Sequence, residues 1–139
     1  LPATFVPHVQ LNAYVNADEV ERMTHDPHVA IVDVRAYVRY AGNEEPIDPV
    51  AGHIPNAVSY PYAEIVQASG EIKSTDELRE RFAPIADKQI VTYCGSGVTA
   101  AAAILALEHA GIHGAKLYAG SWSDWITDPK RDIETESTL

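Results

Sequence analysis

The residue best suited to covalent chemistry in this 139-residue chain is its single cysteine, Cys94, and its neighbours say what that chemistry would be. A buried-strand pattern, Gln89-Ile-Val-Thr-Tyr93, leads straight into Cys94-Gly95-Ser96-Gly97-Val98-Thr99, and the helix-forming stretch Ala100 to His109 follows. That order puts Cys94 at the carboxyl end of a parallel strand, where open α/β sheets place ligands. The two glycines let the backbone curl so that several amides point inward, and the helix start adds partial positive charge. Such a field favours a thiolate over a thiol, and a persulfide anion equally. Thiolate is the nucleophilic form, so the loop supplies activation without a neighbouring histidine. The hydroxyls of Ser96 and Thr99 can donate further hydrogen bonds to the sulfur or to a bound oxyanion. The competing reading is that Cys94 is a small buried hydrophobe, since free cysteine is among the most buried residue types. A Gly-x-Gly turn between apolar strand and helix favours the reactive reading.

Other chemistries fit less well. Tyrosine and dual-specificity phosphatases also use a cysteine in a loop before a helix, but they hold phosphate with an arginine six positions later. Here that position is Ala100, and no arginine or lysine occurs between Cys94 and Leu107, so phosphate or arsenate ester chemistry is disfavoured. The six histidines have no second cysteine or carboxylate at ligand spacing, and no metal or organic cofactor is expected. His25 and His28 flank Pro27 and read as solvated loop residues.

A net charge of -10 repels phosphate backbones and anionic lipid, so neither nucleic acid nor membrane is an expected partner. The longest apolar run, Ala100 to Leu107, falls short of the roughly 20 residues of a membrane helix. The start, Leu1-Pro-Ala-Thr-Phe5, lacks the pattern of a signal peptide. One cysteine allows no intrachain disulfide, which points to a reducing, cytoplasmic setting. With 46% apolar residues, the chain can bury the core of one domain.

The elements that must position Cys94 follow from pattern. Asn16-Ala-Asp-Glu19 is a capping box opening a helix from Ala17 to about Thr24, and Val29 to Val34 is a β-branched run typical of a strand covered on both faces. From Arg35 to Pro55 glycines and prolines break any long element, leaving a helical turn near Ala36 to Tyr40 and then a loop long enough to have a function. Ala57 to Tyr60 reads as a short strand and Tyr62 to Gln67 as a helical turn. Ser74-Thr-Asp-Glu77 is a second capping box, for a helix with Leu78, Phe82 and Ile85 on one face that ends near Pro84. Gly111 closes the helix after Cys94, Ala115 to Tyr118 is a last strand, and Gly120 to Trp125 precedes a polar tail. Strands alternating with helices predict an α/β, three-layer fold with a central, mostly parallel sheet flanked by helices.

Four motifs, in order, make the chain resemble a rhodanese domain, the sulfurtransferase fold with five strands. Val32-Asp33-Val34-Arg35 resembles the family's Asp-x-Arg, and Gly52-His53-Ile54-Pro55-Asn56-Ala57 its Gly-His-Ile-Pro-Gly-Ala. Cys94 to Ala100 resembles the active loop of the 3-mercaptopyruvate branch, and Tyr118 to Trp125 the closing Tyr-Asp-Gly-Ser-Trp-x-Glu-Trp. The opening, with Phe5 and Asn16 to Val20, is similar to the start of the second, catalytic repeat of two-domain sulfurtransferases. Residues 1–139 are therefore expected to be one rhodanese-like domain, either the C-terminal half of a tandem protein or a single-domain member.

The resemblance implies a sulfurtransferase that moves sulfane sulfur from thiosulfate or 3-mercaptopyruvate to cyanide, a small thiol or a thioredoxin-like protein through a Cys94 persulfide. It makes Arg35 a buried partner of Asp33 and of the loop, Arg39 the better substrate candidate, and His53 a residue holding the long loop, with general acid chemistry as its lesser role. Trp122 and Trp125 become packing residues and Ser121 a cap for the final helix. Two arginines that mercaptopyruvate enzymes typically place on the substrate carboxylate correspond here to Ala41 and Ile47, which puts mercaptopyruvate specificity in question. The alternative of another class is a rhodanese-homology module that binds a protein partner without turnover.

Overall fold

The computed structural model describes residues 1–136, so the polar tail after Trp125 is described as far as Glu136. Five strands, β1 (Tyr14–Val15), β2 (Val29–Asp33), β3 (Val58–Ser59), β4 (Gln89–Tyr93) and β5 (Lys116–Tyr118), form one sheet in the order β1-β5-β4-β2-β3. Every pairing is parallel, so the sheet expected to be mostly parallel is wholly so among the described residues. The sequence reading missed β1. It is two residues long with Tyr14 exposed, and only its pairing of Tyr14 with Leu117 and Val15 with Tyr118 makes it a strand.

The helices are α1 (Ala17–Met23), α2 (Tyr37–Tyr40), α3 (Thr75–Phe82), α4 (Val98–His109) and α5 (Ser121–Trp125). Both expected capping boxes are present. The Glu19 amide donates to Asn16 Oδ1 at 2.9 Å and the Asn16 amide to Glu19 Oε2 at 2.8 Å, while Ser74 and Glu77 repeat the exchange at 3.4 and 3.0 Å. α3 stops at Phe82, and Pro84 sits in a 3-10 turn, Ala83–Ile85, where its missing amide proton costs little.

The central strands β2 and β4 are buried on both faces, and their alternation sorts the core into two halves. Ala30, Val32 and Ile90 face α3 and α4, together with Leu78, Phe82 and Leu107. Ile31, Val91 and Tyr93 face the opposite side, with Val20 of α1 and with Trp122 and Trp125 of α5. Both tryptophans are fully enclosed, as expected of packing residues. The face of α4 against the sheet is built from Ala100, Ala103, Ala106 and Leu107, whose mostly small side chains let the helix lie close to β4. Because α4 begins four residues after Cys94, that close approach sets the position of the loop. Among the described residues no helix is long and apolar enough to cross a membrane.

The long segment after α2 returns to the sheet under a C-terminal strap. His53 and Glu134 exchange backbone hydrogen bonds at 2.8 and 3.0 Å, and the Glu136 amide donates to the Ala41 carbonyl. Gly52, at φ +122°, lies so close to this strap that a Cβ would sit 2.6 Å from the Glu134 carbonyl. Replacing Ala103 by Leu should force α4 off the sheet and cost about 1–3 kcal/mol by overpacking. A fall in the urea midpoint with an unchanged slope is the expected outcome.

Candidate active site

β4 delivers Cys94 to the carboxyl edge of the sheet, where it is 4% exposed and borders a pocket of about 380 Å³. Gly97, the residue before α4, has φ +91°, and a Cβ there would lie 2.4 Å from the Ala119 carbonyl oxygen, so glycine is required. This left-handed turn aims the Gly97 amide back at Cys94 Sγ, at 3.0 Å. Gly95 has no left-handed backbone, and a Cβ on it would only touch the Arg39 guanidinium at 3.4 Å. Of the two glycines expected to curl the loop, one does so.

The amides of Gly95, Ser96, Val98 and Thr99 donate to no protein acceptor among the described residues, which leaves a row of donors at the start of a twelve-residue helix. Ser96 and Thr99 line the pocket; their hydroxyls make no hydrogen bond to Sγ, which leaves a bound oxyanion as the acceptor of the two expected for them. The Val98 side chain is 76% exposed and contributes only its backbone.

What holds the loop is α5, a role the sequence reading did not find. The buried Cys94 amide donates to Ser121 Oγ at 3.1 Å, and that hydroxyl donates to the Tyr118 carbonyl at 2.9 Å. Ser121 was expected to cap α5; it is instead the first helical residue, at φ +58°, and its oxygen serves the loop. The Trp122 amide reaches the Cys94 carbonyl and the Ser123 amide the Gly95 carbonyl, both at 3.0 Å. Ser123 Oγ lies 2.7 Å from the Gly95 carbonyl and 2.8 Å from Asp48 Oδ1, and its one proton serves either acceptor.

The charged residues divide in two. Arg35 is buried against Asp33, with Nη2 2.6 Å from Oδ2, and also donates to the Gly52 carbonyl at 2.7 Å while its guanidinium stacks on Trp122 at 4.7 Å. Burial works against its charge, yet the Asp33 hydrogen bonds and the fields of Asp33, Tyr93 and Glu45 outweigh it and raise its pKa. Arg35 is thus a buried partner of Asp33, but its other hydrogen bonds go to Glu45 and the Gly52 carbonyl and none goes to residues 94–99. Arg39 does line the pocket, but Nε and Nη2 bond Glu45 at 2.8–3.1 Å and Nη2 also reaches Asp48 at 3.1 Å. Burial opposes ionisation of Glu45, but bonds from Arg39 and from the Asp48 and Ile47 amides hold its carboxyl below the usual range. Glu45, Asp48 and Ser123 are site residues the sequence reading passed over; the acidic stretch after Gly42 was the signal available.

His53 does not line the pocket. Its ring stacks on Tyr40 at 3.9 Å, Nδ1 bonds the Tyr40 carbonyl at 2.7 Å, and Nε2 lies 3.7 Å from Glu134, so it fastens the long loop and the strap. Ala41 is 1% exposed beneath the loop, while Ile47, Pro61 and Tyr62 give the pocket an apolar rim.

A family profile described as "Rhodanese-like domain" matches residues 16–128. The chain is 38% identical over 138 residues to a "Probable 3-mercaptopyruvate sulfurtransferase" of Pseudomonas aeruginosa, covering 96% of this chain and 49% of that protein. It is 39% identical over 134 residues to the 3-mercaptopyruvate sulfurtransferase of Escherichia coli, covering 88% and 47%. The chain thus spans about half the length of these relatives. Among solved structures, the Tum1 protein from Saccharomyces cerevisiae matches with a TM-score of 0.78 at 23% identity, over 91% of this chain and 48% of that one. An anaerobic ergothioneine biosynthesis enzyme from Chlorobium limicola matches at 0.84 and 24%, over 92% and 33%. At such identities these two attest the fold alone.

Ser121→Ala would strand the buried Cys94 amide. It is expected to cost about 1–3 kcal/mol in chemical denaturation, and Gly97→Ala more, since it adds a clash to a left-handed strain.

Proposed function

Because the chain belongs to the rhodanese-like domain family, we propose that it is a sulfurtransferase whose Cys94 carries the transferred sulfur as a persulfide. The observation that carries this reading is Cys94 Sγ at the pocket wall, under the Gly97 amide and beside further amides without a protein acceptor among the described residues. A sulfur in that position is within reach of a small donor, and the negative charge it gains meets the Gly97 amide already directed at Sγ.

The first step is nucleophilic displacement on the donor's outer sulfur. With thiosulfate, Cys94 thiolate forms an S–S bond, the S–S bond of the donor breaks, and sulfite leaves with the electron pair. With 3-mercaptopyruvate the C–S bond breaks and pyruvate leaves as its enolate, which then takes a proton from water. The amides of residues 95–99 stabilise the persulfide anion. In the second step cyanide attacks the outer sulfur to give thiocyanate and restore the thiolate; a small thiol, or a reduced thioredoxin-like protein, would take the sulfur as its own persulfide. The names of the two relatives support 3-mercaptopyruvate as a donor, and no cofactor is needed for either displacement. A cytoplasmic setting is proposed with it, since a lone reactive thiol stays reduced there.

Incubation of the intact chain with each donor, followed by mass measurement, should add one sulfur atom to the wild type and none to Cys94→Ser. Thiocyanate formation should fall at least about 10³-fold in the same variant. A wild-type chain that never gains sulfur would instead indicate a binding module without turnover.

A further inference from the structure

The charged cluster behind the pocket wall contains more negative charge than a site for anionic donors would be expected to carry, although of its acids only Asp48 lines the pocket itself. Arg35 and Arg39 are its guanidiniums, and Asp33, Glu45 and Asp48 face them, so three carboxylates meet two cations and one negative charge is left over. The arginine that borders the open space, Arg39, has both its Nε and Nη2 edges bonded to Glu45 and Asp48. These acids are well placed to act on it strongly: the side chains of Glu45 and Asp48 are only 4% and 9% exposed, so solvent screens them little. Asp48 is itself part of the pocket wall and is tied through Ser123 to the Gly95 carbonyl. No lysine lines the pocket, and the loop contains no basic residue.

We propose that Glu45 and Asp48 are specificity-determining residues which, by neutralising Arg39, make the Cys94 pocket discriminate among sulfur donors by their negative charge. Resting on the sulfurtransferase reading, this narrows the donor class to molecules that are uncharged or singly charged. The energy of a ligand in a residual potential scales with its own charge, so a dianion such as thiosulfate is penalised twice as heavily as a monoanion such as mercaptopyruvate. Intrinsic reactivities of the two donors differ, so the readout is the change in their ratio and not either rate alone.

The experiment compares kcat/KM for thiosulfate and for mercaptopyruvate in wild type, Asp48→Asn and Glu45→Gln, at low and high ionic strength, with Cys94 persulfide followed by intact mass. With a unit charge about 8 Å from the donor and an effective dielectric of about 40, removing one carboxylate raises mercaptopyruvate use roughly fivefold and thiosulfate use by the square of that, roughly 25-fold. Salt should raise thiosulfate use relative to mercaptopyruvate in the wild type, and less so in the variants. A purely structural role for the two acids would change both donors by one common factor and leave the salt dependence alone, which overturns the proposal. Should either variant fail to fold, the wild-type salt dependence of the donor ratio still decides: a ratio unmoved by salt rejects the charge filter. If the wild type loads sulfur from neither donor, the sulfurtransferase reading falls and this inference with it, whereas loading with an unmoved ratio removes the inference alone.

Discussion

Everything at the carboxyl edge of this sheet depends on how the backbone of Cys94 is fastened. Its amide and carbonyl leave β4 at a point where a strand partner can no longer serve them, and both are buried. Buried backbone polar groups must find partners, and here α5 supplies them: Ser121 Oγ accepts from the amide and the Trp122 amide donates to the carbonyl. With those two bonds made, the side chain of Cys94 and the turn at Gly97 have little freedom left. The Gly97 amide then meets Sγ as a consequence of where the loop is pinned.

The same pinning couples the reactive loop to a distant stretch of chain. Ser123 bridges the Gly95 carbonyl and Asp48, Asp48 and Glu45 bind Arg39, and Arg39 lies against Gly95. The long segment after α2, fastened beneath the C-terminal strap by His53 and Glu134, thereby becomes one wall of the pocket. Positive partial charge from the start of α4 and negative charge from this wall act on the same small volume. The first favours an anionic sulfur at Cys94, while the second weighs against any further negative charge that a donor brings. On the proposed reading, a site with both signs at close range would separate the charge created at Cys94 from the charge that a donor carries in.

Most of the fold was legible where structure is local. The capping boxes at Asn16 and Ser74, the β-branched run of β2, and the strand-loop-helix order around Cys94 each depend on residues within a few positions of one another. β1 was not legible, because two residues hold no periodicity and only pairing with β5 makes them a strand. Ser121 shows the limit of a local rule. A serine at the start of a helix suggests a cap, yet its backbone is left-handed and its hydroxyl goes to a loop 27 residues earlier in the chain. Arg39 was expected to be the better substrate candidate, but its pairing with Glu45 and Asp48 depends on how a glycine- and proline-broken segment folds back.

By itself the sequence singled out the candidate nucleophile and the frame that carries it: a lone cysteine between an apolar strand and a Gly-x-Gly turn, at the edge of an α/β sheet. The tertiary structure alone decided which groups surround that atom, namely that one loop amide and neither hydroxyl bonds the sulfur, that α5 clamps the loop, and that the two arginines at the pocket are paired with Asp33, Glu45 and Asp48. The reason is physical. Strand and helix patterns are written in the spacing of nearby residues, whereas a site at a sheet edge is assembled from segments tens of residues apart, brought together by parallel crossovers and by the requirement that every buried polar group find a partner.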